Sequence, residues 1–249
     1  MPDVPPRAVV LIVHGIAEHS GRYEAVGAQF AAAGIGALAL DQRGHGSTEG
    51  TKGHVATFDE FLDDVEDQMT ELKPVGVPVI MLGHSMGGLV AAAYAISDRP
   101  SPDLLVLSGP ALGTDLPPWQ QTAVGKFAQL APKFFLSPPF DTAVLSRDPQ
   151  VSEAYGNDPL IKPGGSANLL WQLFVTMRAT ADSVDQLSIP TLCLHGGSDE
   201  LVPAFASEVL EGVPGVTRQV LPNLRHEIFN EPEGPEVVAS VIEWIDANI

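Results

Sequence analysis

From Val77 to Leu82 the chain is almost unbroken in its apolarity. It then reads Gly83-His84-Ser85-Met86-Gly87-Gly88 and continues as Leu89-Val90-Ala91-Ala92-Ala93-Tyr94-Ala95-Ile96. The first part has the length and character of a buried strand, and the last reads as a tightly packing helix. A buried strand that turns straight into a buried helix needs cover on both faces, which a layered α/β molecule provides. The turn is Gly-x-Ser-x-Gly, so sharp that the residues flanking the serine must lack bulk. It would lift Ser85 to the carboxyl edge of a parallel sheet, with a helix N-terminus beneath it that favours developing negative charge.

The rest of the chain repeats the strand-then-helix rhythm. Ala8 to Val13 is a second buried-strand run and ends at His14-Gly15. Tyr23 to Ala33 is helical by composition, and Gly34-Ile35-Gly36 closes it before a strand from Ala37 to Asp41. Thr57 and Glu60 have capping-box spacing and open a helix with Phe58, Phe61, Leu62, Val65, Met69 and Leu72 on one face. Its acids, Asp59, Glu60, Asp63, Asp64, Glu66 and Asp67, read as the solvated face. Strands follow at Leu104–Ser108, Thr191–Leu194 and Thr217–Leu221, with helices at Ala204–Leu210 and around Val237–Ile245. This alternation predicts an α/β fold with a mostly parallel, doubly wound sheet. It stops between Gly109 and about Ser188, a proline-rich stretch whose best helical piece is Leu169, Leu170, Leu173, Phe174 and Met177, with Trp171 on the flank. We therefore expect one core domain, residues 1–109 and 189–249, with 110–188 inserted as a helical cap over the ligand-binding edge of the sheet.

Composition narrows the partners. A net charge of -18 over 249 residues repels polyphosphates and anionic lipid headgroups, which argues against nucleic acid and leaves uncharged or apolar molecules. Cys193 is the only cysteine, so no intrachain disulfide can form. No signal peptide and no run of about 18 apolar residues is present, and the expectation is a cytoplasmic protein that does not span a membrane. Zinc spacing such as His-Glu-x-x-His is absent, and no metal or organic cofactor is expected.

A serine hydroxyl needs a base in hydrogen-bond reach, and that base needs an acid to orient it. With the serine on a strand-to-helix turn of this kind, the chain order is Ser, then Asp or Glu, then His. Only His195 and His226 follow Ser85. His195 ends a strand and reads as structural, whereas His226 sits on a loop after the last strand and can reach over the turn. The acid should leave the preceding strand, which selects Asp199, with Glu200 as the alternative. An oxyanion hole needs two backbone donors, and the N–H groups of Met86 and of Ile16, in the loop after the first strand, are the candidates.

Four stretches carry a resemblance: His14-Gly15-Ile16-Ala17-Glu18-His19-Ser20-Gly21-Arg22-Tyr23, Asp41-Gln42-Arg43-Gly44-His45-Gly46-Ser47, Gly83 to Gly88, and Tyr155-Gly156-Asn157-Asp158-Pro159-Leu160. Together they resemble the monoacylglycerol lipases, the bacterial ones especially, from about Ala8 to the C-terminus. The resemblance implies an α/β-hydrolase fold with a mobile cap and the catalytic set Ser85, Asp199 and His226. It also implies that Glu18, Arg22 and Tyr155 line the polar end of the pocket near the glycerol headgroup, although a Glu18–Arg22 pair would serve equally as a salt bridge supporting the oxyanion loop. Family members usually carry an N-terminal β-hairpin before the first strand, and this chain departs from them there.

The expected activity is hydrolysis of monoacylglycerols through an acyl-enzyme. A carboxylesterase or lysophospholipase with another headgroup preference is the alternative, and a silent ligand-binding homologue the remote one. The cap residues Trp119, Phe127, Leu130, Phe134, Phe135, Leu136 and Phe140 offer an apolar surface for transient contact with a lipid interface.

Overall fold

The first strand, β1 (Ala8–Val13), is buried at all six positions and lies parallel to both its neighbours, as its unbroken apolar run requires. The structure is a computed structural model describing residues 5–249; residues 1–4 of the expected core segment lie outside the described residues. After β1 come α1 (Glu24–Ala32) and β2 (Ile35–Leu40). β2 begins two residues before the expected Ala37. Gly34 alone turns the chain, so Ile35 and Gly36 already pair with Ala8 and Val9.

The acidic helix is α2 (Asp59–Leu72), but it lacks the expected Thr57 cap. Phe58 occupies the N-cap position with no side-chain hydrogen bond, and the Glu60 carboxylate accepts the N–H of Ala56 at 2.7 Å. Next come β3 (Val79–His84), α3 (Met86–Ala95) and β4 (Leu104–Ser108). The inserted stretch contains α4 (Pro118–Leu130), β5 (Phe135–Leu136), α5 (Pro149–Asn157), β6 (Gly165–Ser166) and α6 (Ala167–Ala181). Its two short strands form only a small antiparallel ribbon, and α6 packs on both α3 and α4. The core resumes with β7 (Thr191–Gly196), a helix at the expected Ala204–Leu210 that is of 3-10 rather than α type, β8 (Val216–Leu221) and α7 (Gly234–Asp246).

Six strands form one parallel sheet in the order β2-β1-β3-β4-β7-β8. Successive residues of β1 serve opposite layers. Leu11 and Val13 pack with α2 and α3, while Ala8, Val10 and Ile12 pack with α1 and α7. All ten residues of α3 are buried, so its alanines are the condition for close packing against the sheet and α6. From β1 the chain moves to one side to make β2 and then returns to the other side for β3. The carboxyl ends of β1 and β3 therefore flank a crevice where connections diverge, the usual place for a ligand in such a sheet. Among the described residues no helix is long and apolar enough to cross a membrane.

Candidate active site

β3 ends at His84 and α3 begins at Met86, leaving Ser85 alone to make the turn at φ 55° and ψ -119°. Among the described non-glycine residues only Ser85 and Ala17 have positive φ. Such a conformation costs about 1–3 kcal/mol and persists only where neighbours hold it. Here the Ser85 N–H donates to Ser108 O at 3.0 Å, and its carbonyl accepts from Leu89 N at 3.1 Å and Ala111 N at 3.0 Å. A side chain on Gly83 would collide with the Gly87 carbonyl, and one on Gly87 with the Val13 carbonyl. The two glycines of the motif are thus required by close backbone approach.

His226 is buried beside the turn, and its Nδ1 lies 2.7 Å from Asp199 Oδ2. The other oxygen of Asp199 accepts the N–H groups of Leu201 at 2.9 Å and Val202 at 2.8 Å, which fixes the carboxylate. Burial works against the Asp199 anion, but the hydrogen bonds from His195 and His226 prevail and hold its carboxyl well below the usual range. Glu200, the alternative acid, is exposed. His195 is buried with Nδ1 2.9 Å from Ser207 Oγ, and its Nε2 lies 2.8 Å from Val202 O and 3.4 Å from Asp199 Oδ2, so it packs against the proposed acid. No hydrogen bond joins Ser85 to His226, although both line the same cavity. Bonds of this kind are often long until substrate is bound.

The loop after β1 closes against Ser85. A Cβ built on Gly15 would stand 3.1 Å from Ser85 Cβ. The N–H groups of Ile16 and Met86 have no hydrogen-bond partner among the described residues. Glu18 holds this loop in shape: it accepts the Gly15 N–H, the Tyr23 hydroxyl at 2.9 Å and Arg22 at 2.9 Å. Arg22 in turn makes a two-pronged pair with Glu227, at 2.6 and 2.7 Å. Its guanidinium lies 5.1 Å from the ring centre of Tyr155, whose hydroxyl donates to Ala17 O at 3.2 Å. Glu18, Arg22 and Tyr155 all line the cavity, but their polar groups are engaged with one another and with the loop. Burial alone would raise the Glu18 carboxyl; His84 and Arg22 more than reverse this and hold it at about 2.

Two contributors were missed from sequence. Glu227 directly follows His226 and ties the histidine loop to the loop after β1. The sequence shows Glu227 only as an acid on a loop, because the arginine that pairs with it is distant in the chain and its burial appears only in the structure. His84 is the other: its ring centre lies 4.7 Å from that of His226, and burial, aided by His226, pushes its pKa down to about 4. A neutral His84 adds no charge to repel an imidazolium at His226.

The cavity measures about 200 Å³. Ser85, His84 and His226 line one side, and Pro138, Phe140, Leu145, Pro163 and Leu170 of the inserted segment contribute an apolar cover. Among the described residues no group of three or more His, Cys, Asp or Glu side chains could hold a metal ion.

The profile of the Hydrolase_4 family, described as serine aminopeptidase, S33, matches residues 4–233. A monoacylglycerol lipase of Mycolicibacterium smegmatis is 36% identical, the match covering 100% of this chain and 91% of that protein. Phospholipase YtpA of Bacillus subtilis is 30% identical over 98% of this chain and 97% of its own length. Among solved structures, the crystal structure of the Paleococcus ferrophilus monoacylglycerol lipase superposes with a TM-score of 0.91 at 30% identity, covering 99% of this chain and 96% of that one.

Proposed function

The chain belongs to the Hydrolase_4 family and, within the α/β-hydrolase superfamily, to the monoacylglycerol lipases, and from that premise we propose that it cleaves monoacylglycerols to fatty acid and glycerol. It is a serine hydrolase of the lipase and esterase class. In the proposed mechanism His226 takes the proton of Ser85 as the hydroxyl attacks the ester carbonyl. Asp199 holds the imidazole by Nδ1 and stabilises its charged form without itself taking the proton. The N–H groups of Ile16 and Met86 receive the oxyanion. His226 then protonates the departing glycerol, and water cleaves the acyl-enzyme by the same route reversed.

The observation that supports this reading is the 2.7 Å bond between Asp199 and His226, whose ring lines the same cavity as the strained Ser85 turn. The test is turnover of monoacylglycerol by Ser85→Ala and His226→Ala, both expected to lose at least about a thousandfold in kcat. Near-wild-type turnover in either would overturn the assignment.

A phospholipase reading draws on the similarity to YtpA, and the charge of the pocket weighs against it. Arg22 is the cavity's cation, and it is bracketed by Glu18 and Glu227, so the trio is negative as a whole. A phosphodiester headgroup would meet repulsion there, whereas a neutral glycerol would not. We expect hydrolysis of lysophospholipid to fall at least about tenfold below that of the matching monoacylglycerol in kcat/KM, and parity would favour the phospholipase reading.

The cap is proposed to meet the lipid interface through its exposed apolar side chains. A cytoplasmic location is proposed on the strength of the single cysteine, which is buried with its thiol pushed up to about 12.

A further inference from the structure

Helix α4 carries its large apolar side chains on the outside. Its buried positions are Gly125 and Ala128, while Trp119 is 70% and Leu130 85% exposed. Gly125 lets α4 close on α6, since a Cβ there would stand 2.7 Å from the Trp171 ring. Trp119, Ala123, Lys126, Phe127 and Leu130 fall at helical spacing and share the outward face. Phe134 extends it just past the helix, edge-on to Phe127 with ring centres 5.4 Å apart.

Charge is sorted into the same region. Residues 116–140 and 159–181 contain Lys126, Lys133, Lys162 and Arg178 and none of the 31 Asp and Glu residues of the chain. All four cations are exposed, and among the described residues none is in an ion pair. Asp115 and Asp141 bound the first segment and Asp158 and Asp182 the second; residues 141–158 between them also hold Arg147, Asp148 and Glu153, and Asp182 shares a groove with Arg178. The acidic helix α2 approaches α6 through Phe58 and Gln172; its Glu60 and Asp64 are paired with Arg43, and Asp63 and Glu66 with Arg99, while Asp59, Asp67 and Glu71 are exposed and in no ion pair among the described residues.

We infer that the outward face of α4, together with Lys133, Phe134 and the end of α6, docks this enzyme on anionic lipid bilayers in preference to zwitterionic ones. Apolar side chains alone would serve either surface. A cation at an anionic bilayer adds about fivefold in partitioning, so sorting the cations to this face selects the anionic one. The strongly negative remainder of the molecule is repelled by the same surface, which leaves a single orientation, cap toward lipid. The net charge of -18 therefore does not decide the matter; its distribution does. The inference rests on the reading that the cap meets a lipid interface.

The test is partitioning of the full chain onto phosphatidylcholine vesicles with and without about 30% phosphatidylglycerol, at low and high salt. Wild type is expected to bind the anionic vesicles at least about tenfold more tightly, with the gain lost at high salt and in Lys126→Gln/Lys133→Gln/Arg178→Gln. Trp119→Ser/Leu130→Ser should weaken binding to both vesicle types. An unchanged urea midpoint for each variant shows that folding is not the cause. Equal binding to the two vesicle types overturns the inference. So does a wild-type dimer that Trp119→Ser/Leu130→Ser converts to monomer in sedimentation, because the face would then be a contact between copies of the chain. Hydrolysis of a soluble nitrophenyl ester by wild type is read separately: its absence would overturn the hydrolase mechanism and leave the vesicle result standing.

Discussion

At the scale of single residues, the site trades stability for geometry at Ser85. Its φ of 55° is one that a glycine adopts without strain. Ser85→Gly should therefore abolish turnover yet raise stability by about 1 kcal/mol in urea unfolding, strain relief outweighing the added chain entropy. A loss of stability would show that the turn is not strained. Arg22 presents the opposite case, since its charge is buried and fully used. Glu227→Gln removes half of a buried ion pair and leaves Glu18 as the only carboxylate on Arg22. It should cost about 2–4 kcal/mol in unfolding, and an effect under about 0.5 kcal/mol would mean that the pair is dispensable. The proposed set Ser85, Asp199 and His226 follows from chain order, because the chemistry prescribes a sequence of residue types along the sheet edge, and the structure brings Asp199 and His226 into contact. Glu227 was not readable in this way, because an acid on a loop of an acidic chain looks like solvated surface until a buried arginine is found facing it.

At the scale of elements, strands buried on both faces were the clearest signals: β1 and β4 lie where their apolar runs place them. Ends and caps were not, because they depend on which partner takes each free backbone group. The start of α2 shows this directly. Thr57 and Glu60 have the right spacing, but the chain enters the helix through Phe58, whose N–H is met at 3.3 Å by Gln172 from the inserted segment. Only the Glu60 half of the box remains, reaching back to Ala56. Thr57→Ala should accordingly be neutral within about 0.3 kcal/mol, while Glu60→Ala should cost about 1 kcal/mol through the lost cap and its pair with Arg43. The reverse order in chemical denaturation would restore the full capping box. Residues 110–188 stand apart in the sequence by their prolines and by the lapse of the strand rhythm, yet the packing of α4 on α6 was hidden because Gly125 and Ala128 give no apolar signal.

At the scale of the molecule, alternation of strand and helix was enough to imply the parallel sheet. Whole-chain charge was a poorer guide, since an average over 249 residues conceals two cap segments, 116–140 and 159–181, that hold no acid, although residues 141–158 between them do. The same distinction between total and placed charge governs the response to acid. His45 and His84 are buried, and desolvation first, then a neighbouring histidine in each case, pushes both down to about 4. The unfolded chain protonates its histidines near pH 6.5, so between there and pH 4 it takes up protons that the folded molecule refuses. Stability must then fall as pH falls, by up to about 3 kcal/mol for each of the two histidines across that window. Glu18, held at about 2, extends the loss below its ordinary range near pH 4.5. His45 lends itself to isolating one of these contributions. Its Nδ1 lies 3.1 Å from Arg43 O and its Nε2 has no partner among the described residues, so His45→Asn retains the donor and removes the titration. The variant should lose close to one proton from the slope of unfolding free energy against pH between 6.5 and 4, measured by urea midpoints across that range. A slope equal to that of wild type would mean that His45 is protonated in the folded protein, and that burial does not hold it neutral.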